Sequence, residues 1–131
     1  MKSEVHRDDL VYPDLSYRIS GILFEVFKEL GPGYQEKYYE RAIAVAFAKE
    51  NLRFEEQLRI PLQYHNRPIG SYVLDFLTEN VIVLEIKKGN YFKKQNIDQV
   101  FSYLKAKNLR LGLIANFTAN GVKVKRIVNI N

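Results

Sequence analysis

The chain contains no cysteine. That absence excludes disulfides, iron–sulfur clusters and thiolate zinc sites together. No apolar run approaches the roughly twenty residues that a membrane helix needs. The first ten residues, MKSEVHRDDL, are charged and lead into no apolar run, so a secretory leader is not expected. Linkers, internal repeats and low-complexity segments are absent as well. These absences favour a soluble cytoplasmic protein with no membrane partner. The 131 residues, 47% of them hydrophobic, suit a single domain over 1–131 that buries its own core, with 1–14 as a flexible leading segment.

Negative charge is scarce late in the chain. From Glu85 onward, ten lysines and arginines stand against two acids, Glu85 and Asp98. The net charge is +5. A one-sided basic surface suits a polyanion, although a solvated basic face needs no ligand.

Apolar residues at Ile19, Ile22, Leu23, Val26, Phe27 and Leu30 recur with helical spacing and predict a helix over 15–30. Asp14 or Ser16 is the expected cap, and GPG at 31–33 the expected stop. A second helix is predicted over 35–50, burying Tyr39, Ala42, Ile43, Ala46 and Phe47, with Asn51 as its stop. Alternation then predicts a strand over 54–64, with Phe54, Glu56, Leu58, Ile60, Leu62 and Tyr64 on one face. Pro61 lacks an amide donor and marks an edge strand or a bulge. HNRP at 65–68 reads as a turn, followed by strands over 70–77 and 81–87. A helix over 93–107, with Ile97, Val100, Phe101 and Leu104 inward, and strands over 110–116 and 122–128 complete the chain. The order α-α-β-β-β-α-β-β predicts an α/β protein of the α+β kind, a mixed sheet flanked by helices.

The third strand carries the chemistry. In VLEIK, Glu85 and Lys87 interrupt an apolar strand on the same face, about 7 Å apart along it. On the strand before it, Asp75 interrupts VLDFL. A two-residue loop at 79–80 would place Asp75 and Glu85 on opposite faces, whereas a three-residue loop or one bulge would pair them. Two carboxylates and a lysine at one point can bind a hard cation through oxygen and steady developing negative charge. A plain surface salt bridge between Glu85 and Lys87 is the simpler alternative.

The surrounding motifs resemble those of the GxxExxY proteins, a branch of the PD-(D/E)XK nuclease superfamily close to RecB-type and lambda-exonuclease-like nucleases. The resemblance rests on Gly33, Glu36 and Tyr39 within GPGYQEKYYERAIA, on Asp75 followed by Glu85-Ile86-Lys87, on Gln99 and Tyr103 in QVFSY, and on YLKAKNLRLGLIANF leading to VKVKRIV. It covers roughly residues 15–128. It implies a restriction-endonuclease-like core and a metal-dependent nuclease using Mg²⁺ or Mn²⁺, with DNA ahead of RNA as the nucleic acid. Asp75 and Glu85 would be metal ligands, with the Ile86 carbonyl a further one, and Glu36 would complete or orient the metal site. Lys87 would be the catalytic lysine. Gln99 and Tyr103, four apart on one helix face, would touch the substrate phosphate or orient Lys87. Lys88, Lys93 and Lys94 would contact the substrate backbone. A homodimer would suit duplex cutting.

The alternatives are a non-catalytic nucleic-acid-binding module on the same fold, and an interaction protein using apolar contacts of the first helix. His6 and His65 match no motif and read as exposed. Tyr91 and Phe92 precede Lys93 and Lys94; such aromatics can stack on bases, but packing of the loop against the helix is the preferred reading.

Overall fold

The computed structural model describes residues 11–130. The charged opening segment and His6 lie outside the described residues. Helix α1 runs Pro13–Leu30 and α2 Glu36–Lys49. Strands β1 (Phe54–Tyr64), β2 (Arg67–Thr78) and β3 (Ile82–Lys88) form a meander. Helix α3 (Lys94–Lys107) then leads to β4 (Leu111–Phe117) and β5 (Val122–Val128).

The five strands lie in the order β1-β2-β3-β4-β5. Every neighbouring pair is antiparallel except β3 and β4, which α3 connects as parallel strands. The result is a mixed sheet with helices on both faces, a restriction-endonuclease-like core. One face packs Phe76, Ile82, Leu84, Ile86, Leu113 and Phe117 against α1 and α2. The other packs Leu74, Val83, Ile114 and Ile127 against Val100, Tyr103 and Leu104 of α3. Gly112 of β4 permits this closeness, because a Cβ there would stand 2.5 Å from Val100 Cγ1.

The helix start differs from expectation. Tyr12, not Asp14 or Ser16, is the N-cap of α1, with Pro13 at the first helical position and no side-chain capping bond. Proline pre-sets the helical φ there and needs no donor. Ser16 instead donates to Pro13 O and accepts from Arg126.

The single apolar face expected for β1 also fails. Phe54 packs on the α1–α2 side, whereas Leu58 and Ile60 pack on the α3 side. Gln57 lies between them with φ 57, and this left-handed residue reverses the alternation. Strand β1 lies at the sheet edge, with a register shift at Leu62/Gln63 next to Pro61. The turn is shorter than HNRP: Tyr64 pairs with Arg67, and His65 and Asn66 (φ 48 and 62) form a tight two-residue connection. Beyond Asp75 the β1–β2 hairpin leaves β3 and projects as a two-stranded arm, with Leu62, Tyr64 and Ile69 exposed.

Candidate active site

Hairpin register brings the two central carboxylates together. Glu79 and Asn80 both take positive φ, 52 and 60, and Val81 N–H closes the turn on Thr78 O at 3.0 Å. Val81 remains as an extra loop residue, so Thr78 pairs with Ile82, Leu77 with Val83 and Phe76 with Leu84. The next opposed residues are Asp75 and Glu85. The ladder ends there, and side chains take over the backbone groups. Asp75 N–H donates to Glu85 Oε1 at 3.0 Å, and Ile86 N–H donates to Asp75 Oδ2 at 2.7 Å. Both acids are buried in this notch between parting strands. Lys87 Nζ, half-buried, lies 3.5 Å from Glu85 Oε2.

Helix α2 adds two further acids. Gly33 (φ 97) lets the chain turn sharply between the helices. Tyr39 fixes that turn by donating from its hydroxyl to Gly31 O at 2.6 Å while its ring stacks on Phe117 at 4.2 Å. Glu36 therefore reaches the end of β3 and accepts from Lys88 N–H at 3.1 Å. One turn later, Glu40 lies close enough to Asp75 for their charges to interact, with Gln57 Nε2 at 3.5 Å from its Oε1.

This crowding of acids changes their protonation. Burial, then the Glu85 charge, pushes Asp75 up to about 8, against the pull of Ile86 N–H and Lys87. Burial also raises Glu85, opposed first by Lys87. Burial, then the charges of Asp75 and Glu36, pushes Glu40 up to about 7. Carboxylates buried close together hold protons for this reason.

Gln99 and Tyr103 of α3 share a groove of about 630 Å³ between the helix and the β1–β2 arm, lined also by Tyr72, Pro61 and Lys94. Tyr103 is mostly buried in the α3-side core. Tyr72 joins groove to notch: its hydroxyl donates to Gln99 O at 3.2 Å, and burial followed by the Glu85 charge raises its pKa. Lys88 and Lys93 are exposed. Lys94 is engaged with Asp98 at 2.6 Å. His65 lies in the arm turn, its ring against Tyr64.

Two polar residues of this region escaped the sequence reading. Glu40 had one available signal, its i, i+4 spacing from Glu36 on the same helix face. Asn116 stands beside Lys87 in the β3–β4 register and is 1% exposed, and its Nδ2 donates to Tyr91 O at 2.8 Å. A polar residue inside the apolar stretch LGLIANF was its only mark.

Among the described residues, no three or more His, Asp or Glu side chains stand in a metal-holding arrangement. The donor chemistry nevertheless fits a hard cation. Mg²⁺ is commonly held by one or two carboxylates, with water and substrate phosphate completing its shell. Asp75 and Glu85 offer two such carboxylates, both raised first by burial, and a bound cation would favour their ionised forms.

A mixed five-stranded sheet flanked by helices, in this element order, is consistent with a restriction-endonuclease-like fold. The sequence profile of the PD-(D/E)XK nuclease superfamily matches residues 13–127, and the chain belongs to that superfamily. Its members are usually nucleases and generally use divalent metal ions. No curated protein matches the chain. Among solved structures, one titled "Crystal structure of SSO0001" is similar at 15% identity and a TM-score of 0.44, covering 91% of this chain and 79% of its own. No helix among the described residues is long and apolar enough to cross a membrane.

Proposed function

We propose that the protein is a metal-dependent nuclease of the GxxExxY, RecB-like branch, hydrolysing phosphodiester bonds of DNA. The observation that carries this reading is the notch itself: Asp75 and Glu85 opposed across parting strands, with Lys87 held 3.5 Å from Glu85. Asp75 and Glu85 would hold Mg²⁺ or Mn²⁺, with the Ile86 carbonyl and Glu36 or Glu40 contributing. When bound, the ion supplies Lewis-acid charge at the phosphoryl group.

The protein's own groups do the rest. Glu85 restrains the Lys87 ammonium, which then donates to a phosphoryl oxygen and stabilises the negative charge that develops there. To serve as a ligand, Asp75 would first release the proton that burial makes it retain near neutrality. The basic residues after Glu85 attract the backbone, so affinity falls steeply with salt. Gln99 and Tyr103 line the approach from the α3 groove.

The test is cleavage of labelled single-stranded, duplex and branched DNA in Mg²⁺, Mn²⁺ or EDTA, comparing the natural chain with Lys87→Ala and Glu85→Gln. Metal-dependent cutting that both substitutions reduce about 100-fold or more supports the reading. Binding without cutting, indifferent to either substitution, assigns the chain to a non-catalytic nucleic-acid-binding module.

A further inference from the structure

The loop that follows Lys88 presents a tyrosine whose ring meets no other ring and no cation among the described residues. Tyr91 is 84% exposed. Its neighbour Phe92 behaves in the opposite way, packing against the α3-side core. The expectation that both aromatics pack the loop down therefore holds for Phe92 and fails for Tyr91.

An exposed aromatic alone means little. Here, however, three contacts fix the backbone that carries it. Asn116 Nδ2 donates to Tyr91 O at 2.8 Å, Lys123 Nζ to Asn90 O at 3.3 Å, and Gly89 N–H to Phe117 O at 3.2 Å. Register places Lys87, Asn116 and Lys123 in one row across β3, β4 and β5. The clamp on the loop is thus anchored beside the catalytic lysine. Lys88 and Lys93 are exposed on either side of the tyrosine in sequence. A ring held outward on a fixed backbone, amid cations, matches a platform for a base whose phosphates the cations track. The other well-exposed tyrosines lack this setting: Tyr17 lies on α1, and Tyr64 lies against His65 at the arm tip.

We infer that Tyr91 stacks on an unpaired nucleobase next to the scissile phosphate, so that the favoured substrate is a single strand or a frayed end. This inference rests on the nuclease reading and adds a substrate class to it. Bases inside an intact duplex keep both faces stacked on their neighbours, so only an unpaired base can offer a face to the ring.

The experiment measures binding of a labelled single strand, the matching blunt duplex and an abasic strand at constant salt. It uses EDTA, and is repeated with Mg²⁺ on the Lys87→Ala background. Tyr91→Ala should weaken single-strand binding about 5- to 150-fold, the range of one base–aromatic stack, and leave duplex binding within about twofold. Tyr91→Phe should bind as the natural chain does. The chain has no tryptophan, so Tyr91→Trp places a lone reporter at the loop. Its fluorescence should be quenched by the single strand and not by the abasic strand. Unchanged single-strand affinity in Tyr91→Ala, or equal quenching by the abasic strand, overturns the inference and leaves the nuclease reading standing. Failure of the natural chain and Lys87→Ala to bind any of the three overturns both.

Discussion

Asp75→Asn should stabilise the metal-free protein while abolishing its cutting. The physical cause is the proton that burial and Glu85 force onto Asp75, whose pKa rises from 3.8 to about 8. Below about pH 4 the folded and unfolded chains both carry this proton, and folding costs nothing extra. As pH rises toward 8, the unfolded chain ionises first, so the folded state binds more protons and its stability falls. Above about pH 8 the loss levels off. One proton retained over about four pH units would set a ceiling of about 6 kcal/mol. Asp75 shares its proton with Glu85, and the unfolded chain keeps part of its compactness, so a difference of about 2–3 kcal/mol at pH 8.5 is expected. Asparagine keeps an acceptor for Ile86 N–H, and the backbone N–H of residue 75 that donates to Glu85 is unchanged, so both notch contacts persist. Thermal unfolding in EDTA at pH 5.5, 7 and 8.5, followed by circular dichroism, should show the Asp75→Asn variant melting roughly 6–15 °C above the natural chain at the highest pH. The gap should narrow as pH falls. Mg²⁺ should raise the melting temperature of the natural chain, and much less that of the variant, because the ion replaces the missing positive charge. A variant less stable than the natural chain at pH 8.5, or a gap independent of pH, would refute the account of a charge-strained notch.

Two further substitutions test how the fold supports the site. Tyr39→Phe removes the hydroxyl that closes the α1–α2 turn on Gly31 O. It should cost about 1 kcal/mol in urea unfolding and lower cleavage more than substrate affinity, because Glu36 loses its fixed approach to Lys88 N–H. Gly112→Ala places a Cβ 2.5 Å from Val100 Cγ1 in a fully buried contact. Pushing α3 outward should cost about 1–3 kcal/mol, and a neutral result would show that the helix does not sit against β4 as described.

The elements were legible from local pattern because helical and alternating periods survive without tertiary information. The five strands and three helices of the described residues lie where apolar spacing and Gly, Pro and Asn punctuation place them, with ends moved by at most three residues. The acid in VLDFL and the Glu and Lys of VLEIK were legible as candidates, since charges in apolar strands need an explanation, but the sequence left open whether they share a face. Where the pattern failed, a backbone conformation had overridden it. Gln57 in the left-handed region swaps the faces of β1, although glutamine gives no warning of that conformation.

What the sequence by itself determined was the inventory: which segments are helix or strand, which side chains are charged where apolar ones belong, and their order. Tertiary structure alone decided their meeting. The left-handed pair Glu79-Asn80 chose the three-residue loop, and that choice set Asp75 opposite Glu85 rather than on the other face. Packing of α2 on the sheet delivered Glu40 to Asp75 from 35 positions away in the sequence. The parallel pairing of β3 with β4 set Asn116 beside Lys87 and allowed it to clamp the Tyr91 loop. Such contacts depend on register and on helix–sheet packing, which join residues distant in the chain, so no local period records them.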